Sequence, residues 1–205
     1  MLPVTIALPE PSDFDAEVRQ PGLASMAGIN IYAPLPDGTI LVSYWKKCLS
    51  DLRRAFEGRC CFSGTYMRAS EVIPVEHALP KKLHPNLAYE WSNFRYASSR
   101  LNSRKSQKYI LDPACLPKFI DVYHLEFATG GISVNPAVNS NFPALFDAAK
   151  NTIDELGLDK QLYRDERMEI WDDYRNSTVK GIAEKEKLKK ANNFVWYEAN
   201  RQGLL

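Results

Sequence analysis

Apolar residues recur at intervals of four, three and four along Trp45, Leu49, Leu52 and Phe56. That spacing predicts one face of a helix starting near Ser43. Lys46, Lys47, Asp51, Arg53 and Arg54 fill its other side, and Gly58 follows its last turn as a left-handed stop. Ahead of this helix the pattern is broken. Residues 1–43 hold six of the thirteen prolines: Pro3, Pro9, Pro11, Pro21, Pro34 and Pro36. Proline removes backbone donors and fixes φ, so this arm is expected to be irregular, with a turn at Pro36-Asp37-Gly38. One short edge strand is expected over 39–42. The arm is expected to drape over its own domain for most of its length. The alternation of Leu2, Val4, Ile6 and Leu8 also offers an apolar face to a partner.

Beyond Gly58 the texture becomes mixed. Glu71-Val72-Ile73-Pro74-Val75-Glu76-His77 reads as a strand whose Pro places it at an edge or bulge. Residues 78–92 read as a loop anchored by Leu83, Leu87, Tyr89 and Trp91. Asn93-Phe94-Arg95-Tyr96-Ala97 alternates like a second short strand. Ser98 or Ser99 caps a helix expected to run to about Ile110, closed by Asp112-Pro113. Further on, an apolar stretch over 122–127 leads into Gly130-Gly131, a hairpin signal. Phe146, Ala149, Ile153 and Leu156 share a helical face that Gly157 ends, and two more helices are expected over 162–171 and 182–197. The chain therefore divides into an arm (1–43), a mixed core with its preceding helix (44–112) and a mostly helical region packed on that core (113–205). The fold class expected is α+β.

Composition narrows the class. The 205 residues are 45% hydrophobic, enough for a sizeable core, and the net charge of +1 excludes a uniformly basic nucleic-acid coater. No apolar run is long enough to span a bilayer, and the N-terminal stretch lacks the basic region of a signal peptide. Cys48, Cys60, Cys61 and Cys115 form no CxxC pair. A reduced, cytoplasmic setting is expected.

The chemistry concentrates in residues 59–105. Hydrolysis of a phosphodiester needs an activated water, relief of charge on the phosphate and help for the leaving oxygen. A neutral His takes a proton near pH 7, and His77 is the candidate base. A divalent cation held by few protein oxygens neutralises charge while keeping positions open. Glu76 and Asn102 are hard donors able to share one Mg²⁺, with Mn²⁺ as a substitute. Asn93 can hydrogen-bond across the long loop and hold the base in place. Adjacent strand residues point to opposite faces, so Glu76 and His77 serve one site only if the strand ends or bulges there.

This order resembles the HNH endonucleases, in which an acid-His pair ends the first strand, an Asn opens the second and a His or Asn lies in the following helix. Glu76-His77, Asn93 and Asn102 fall on those positions, and Lys105 on the Lys that commonly follows the last ligand by three residues. Trp45, the segment Val-Glu-His-Ala-Leu-Pro-Lys ending at Lys81, Trp91 and Asp112-Pro113 extend the likeness to nuclease subunits of Septu-type and retron-associated anti-phage systems. The run T-I-D-E-L-G-L-D-K-Q-L-Y-R-D-E-R is similar to that branch's C-terminal half. The resemblance implies a ββα-metal core, metal-dependent cleavage of nucleic acid and an ATPase subunit as partner in a defence complex. Many such nucleases hold a structural zinc with two CxxC pairs. Here those positions are Cys60, Ser63, Ser98 and Leu101, a set that cannot make a tetrahedral zinc site.

Arg95, Arg100, Arg104, Lys105 and Lys108 give five positive charges with no acid between residues 91 and 111. Beside a nuclease pattern, the first four, with Lys81 and its neighbour Lys82, are expected to contact phosphates. His84 and His124 lack such company and read as structural or solvated. DNA is the favoured substrate, RNA including tRNA the runner-up, and no aromatic stacking platform is legible. The alternative from another class is a degenerate module that binds nucleic acid or a partner without cutting.

Overall fold

The computed structural model describes residues 9–205, so the alternation at Leu2, Val4, Ile6 and Leu8 lies outside the described residues. The fold is α+β, with two antiparallel two-stranded sheets among the described residues. The chain clusters into two compact units. One comprises residues 9–58 and 68–109, here the site unit; the other comprises 59–67 and 110–205, here the helical unit. The arm therefore belongs to the same unit as the first hairpin, and the cysteine pair at 60–61 belongs with the C-terminal helices.

In the site unit the arm is more regular than its prolines suggest. Asp15–Arg19 forms a wide π-helical turn that continues as helix α1, Gln20–Ser25, with Pro21 in its first turn where a missing N–H costs nothing. Phe14, Val18 and Met26 are buried, and the Phe14 ring meets Trp91 and Phe94 edge-on at 5.7 and 5.8 Å. Gly22 is required here: a Cβ would lie 2.3 Å from Cγ of Tyr89. The turn at Asp37-Gly38 forms, with Gly38 at φ 82°. The strand expected over 39–42 does not; Ile40 is 90% exposed, with nothing to reward pairing. Draping holds for the described arm: Leu35 N donates to the Lys82 carbonyl, and Tyr89 Oη to that of Val42.

A 3₁₀ turn, Tyr44–Cys48, leads into helix α2, Leu49–Ala55, burying Trp45, Leu52 and Phe56. Gly58 adopts φ 70° after Glu57 at 53°, and its N–H closes onto the Arg53 carbonyl at 2.8 Å. Strands β1, Val75–His77, and β2, Phe94–Tyr96, pair with Glu76 opposite Arg95 and His77 opposite Phe94. All six residues are buried, because both faces of this short ribbon are covered. Helix α3, Ser99–Lys105, starts on the Ser98 hydroxyl, which accepts from Leu101 N. It stops at Lys105, not near Ile110. Ser106, at φ 48°, turns the chain where the apolar period gives way to exposed Ser106, Gln107 and Lys108, so a further turn would bury nothing.

In the helical unit, strands β3, Tyr123–Glu126, and β4, Gly131–Val134, form the expected hairpin, with Gly130 at φ 68° in the turn. Helix α4, Pro136–Asn141, was not legible in the sequence pattern; α5, Pro143–Leu156, ends at Gly157 in the left-handed region as expected. Helix α6 is Gln161–Arg175. The single helix expected over 182–197 is two, α7, Ile182–Ala191, and α8, Asn193–Arg201. Asn192 separates them with extended backbone, its side chain accepting from Phe194 N and Val195 N while donating to Thr65 Oγ1 at 3.0 Å. Phe62 is buried and belongs to this unit. Among the described residues no helix is long and apolar enough to cross a membrane.

Candidate functional site

The site unit contains a cavity of about 220 Å³ lined by Glu76, His77, Pro80, Lys81, Lys82, Asn102, Ser106 and Gln107. Four of the expected site residues, Glu76, His77, Lys81 and Asn102, therefore line one cavity. Strand β1 ends at His77, the condition under which adjacent Glu76 and His77 can serve one site.

His77 is buried with its ring wedged between Trp45 at 5.0 Å and Phe94 at 5.2 Å, both edge-on. Its Nε2 lies 3.0 Å from the Ala88 carbonyl oxygen. A carbonyl only accepts, so Nε2 carries the hydrogen and the lone pair of the neutral ring resides on Nδ1. Burial, aided by the charge of Lys81, pushes the His77 pKa down to about 3. The imidazole is neutral at physiological pH, in one tautomer, as a proton acceptor must be.

Asn93 fastens the loop that supplies the Ala88 carbonyl. Its Oδ1 accepts from Leu79 N at 2.7 Å, and its Nδ2 donates to the carbonyls of Leu79 and Leu87, each at 3.0 Å. Two points of the long loop, Leu79 and Leu87, are thus tied to one side chain just before β2.

Glu76 is buried, and desolvation raises its pKa against the pull of Lys105. Lys105 Nζ lies 2.9 Å from Glu76 Oε1 and donates to the His77 carbonyl at 2.7 Å. Lys81 Nζ lies 5.3 Å above the Trp45 ring, and burial holds its pKa below the ordinary lysine range. Lys81, Lys82 and Glu76 all line the cavity, and because Lys105 already balances the Glu76 carboxylate, the lining carries a surplus of positive charge.

The expected phosphate contacts divide into two groups. Arg100 is exposed and Arg104 half-buried on α3. Lys105 and Arg95 are buried instead; Arg95 Nη1 donates to the carbonyls of Ser92 and Phe94 at 2.8 and 2.7 Å. These two charges organise the interior and present no open surface. Lys82, expected beside Lys81, lines the cavity, while Ser106, Gln107 and the Ala88 carbonyl join the site without having been singled out. These three depend on the turn at Ser106 and on loop geometry. Trp45 was legible as a core residue of its helix, and its contact with His77 and Lys81 was not.

Among the described residues no group of three or more His, Cys, Asp or Glu side chains is placed to hold a metal ion. A hydrated Mg²⁺ does not need one, since it commonly keeps several waters and takes one or two protein oxygens. Glu76 and Asn102, two residues with oxygen donors, line one cavity with room for several waters, and Glu76 Oε1 is already paired with Lys105 Nζ at 2.9 Å. No known family, curated protein or solved structure matches the chain.

Proposed function

We propose that the protein is a Mg²⁺-dependent phosphodiesterase acting on nucleic acid, with β1, β2 and α3 as a ββα-metal unit of the HNH type. The observation that carries the reading is a neutral histidine of fixed tautomer lining the same cationic cavity as Glu76 and Asn102. His77 Nδ1 accepts the proton of a water whose oxygen attacks phosphorus, while the bond to the leaving oxygen breaks. The entering phosphate brings negative charge beside the imidazole, which raises its basicity at the moment a proton is taken. Lys81 and Lys82 offset the phosphate charge. Asn93 holds the loop, and through Ala88 the ring. Glu76 and Asn102 would hold Mg²⁺, which supplies charge neutralisation at the phosphate and the leaving oxygen. DNA is the favoured substrate and RNA the alternative. The resemblance of about residues 45–171 to defence-system nucleases supports an ATPase partner that gates cutting.

Incubation of wild type and His77→Ala with plasmid DNA or structured RNA, with Mg²⁺ or EDTA and with or without a co-expressed ATPase, tests the reading. Metal-dependent cleavage lost in His77→Ala is expected; equal cleavage by both proteins removes His77 from the mechanism. One observation favours the non-cutting alternative: Lys105 already occupies the Glu76 carboxylate. Nucleic-acid binding with no turnover under any of these conditions would select it.

A further inference from the structure

His84 and Tyr109 lie 25 residues apart in sequence, yet the structure joins them. The Tyr109 hydroxyl is 2.7 Å from His84 Nε2, and the two rings meet edge-on with centroids 5.7 Å apart. His84 follows cavity-lining Lys82 by two residues, and Tyr109 follows cavity-lining Gln107 by two, so the Cα atom of each is within about 7 Å of that of a cavity-lining residue. Tyr109 is 57% exposed. A tyrosine ring pinned by its hydroxyl and left open to solvent presents a fixed apolar face. An aromatic face in such a place suits the base of an unpaired nucleotide, whose π-surface is itself open. In a duplex the bases are already stacked on one another.

The charge of the neighbourhood fits the same ligand. Between residues 78 and 111 the sequence holds seven Lys and Arg and a single acid, Glu90. That acid is hydrogen-bonded to Arg19 at 3.1 Å. Arg95 and Lys105 are interior, so the segment offers a polyanion the remaining five cations, Lys81, Lys82, Arg100, Arg104 and Lys108, each at least partly exposed.

Resting on the phosphodiesterase reading, we propose that the His84–Tyr109 pair is a base-stacking platform beside the cavity, and that the substrate strand is unpaired where it crosses the site. The ring supplies sequence-tolerant stacking while Lys82 and its neighbours hold the backbone. The pair orients substrate; it takes no part in bond breaking.

The test is fluorescence anisotropy of the full chain in EDTA, so that binding is read without cutting. The probes are labelled oligodeoxythymidylate and oligouridylate of about 12 nucleotides, with a DNA duplex of equal length. Tyr109→Ala is expected to weaken single-strand binding by about tenfold and duplex binding by less than about twofold. Tyr109→Phe, which keeps the ring, is expected to stay within about threefold of wild type. Comparing the two single strands tells whether a 2′-hydroxyl matters at this position. Wild-type-like single-strand binding by Tyr109→Ala, or equal loss for single strand and duplex, overturns the platform alone. Failure of the wild type to bind any of the three probes overturns the phosphodiesterase reading and the platform with it.

Discussion

Lys105 Nζ sits 2.9 Å from Glu76 Oε1, with 1% and 4% of the two side chains exposed, and it also holds the His77 carbonyl. One buried ammonium from α3 thus fixes both residues of the acid-His pair at the end of β1. Its value depends on the pair being complete, because removing one member leaves an uncompensated charge out of water.

Lys105→Met is expected to lower the unfolding free energy by about 3–5 kcal/mol, and Glu76→Gln added to it to recover much of the loss. Urea titrations of the two single variants and the double variant measure this. If Glu76 binds Mg²⁺, the ion replaces the missing charge, so Mg²⁺ should raise the melting temperature of Lys105→Met more than that of wild type. An identical Mg²⁺ response in both would remove Glu76 as a ligand.

The His77 imidazole should stay neutral through the physiological range. Its ordinary pKa of 6.5 falls to about 3 on folding, so between those values only the unfolded chain binds the proton. The associated stability is complete above about pH 6.5 and drains away as pH falls toward 3. About 2 kcal/mol should disappear between pH 6.5 and 5, at roughly 1.4 kcal/mol per unit. The His77 ring resonances in NMR should not titrate between about pH 5 and 8, and a midpoint near 6.5 would contradict the assignment.

Asn93→Ala leaves the Leu79 N–H and two loop carbonyls without their partner. A destabilisation of about 1–3 kcal/mol is expected, with the 78–92 loop opening first. Limited proteolysis should cut the variant within that loop well before wild type. Unchanged cleavage kinetics would mean that the loop is held by other contacts.

Glu198 performs a structural role in the helical unit. Its carboxylate is buried and accepts from Leu125 N at 3.0 Å, from Arg201 and from Gln202, joining α8 to β3. Desolvation opposes its charge, but the hydrogen bonds from Arg201 and Leu125 N together prevail and its pKa falls below 4.5. Its contribution is therefore present above about pH 4.5 and lost as pH drops through the lower folded value. Glu198→Ala should cost about 2–3 kcal/mol at pH 7, with a smaller penalty in acid, read by denaturant melts at the two pH values.

What the sequence alone determined follows from local physics. Three-to-four spacing marked the faces of α2 and α5, glycines marked their ends at Gly58 and Gly157, and Gly130 marked the β3–β4 turn, because period and positive φ are properties of a few neighbouring residues. The order of Glu76-His77, Asn93 and Asn102 stood out through its resemblance to a known pattern, and the structure places Glu76, His77 and Asn102 on one cavity, with Asn93 tying the loop behind it. Tertiary structure decided the rest. Only packing reveals that Phe14 brings the proline-rich arm against Trp91 and Phe94, or that Asn192 breaks one periodic stretch into α7 and α8 by bonding to Thr65. Basic residues look alike in sequence. Burial made Lys105 and Arg95 internal struts, left Arg100 in water and placed Lys81 over Trp45, because the fate of a charge is set by which surfaces close around it.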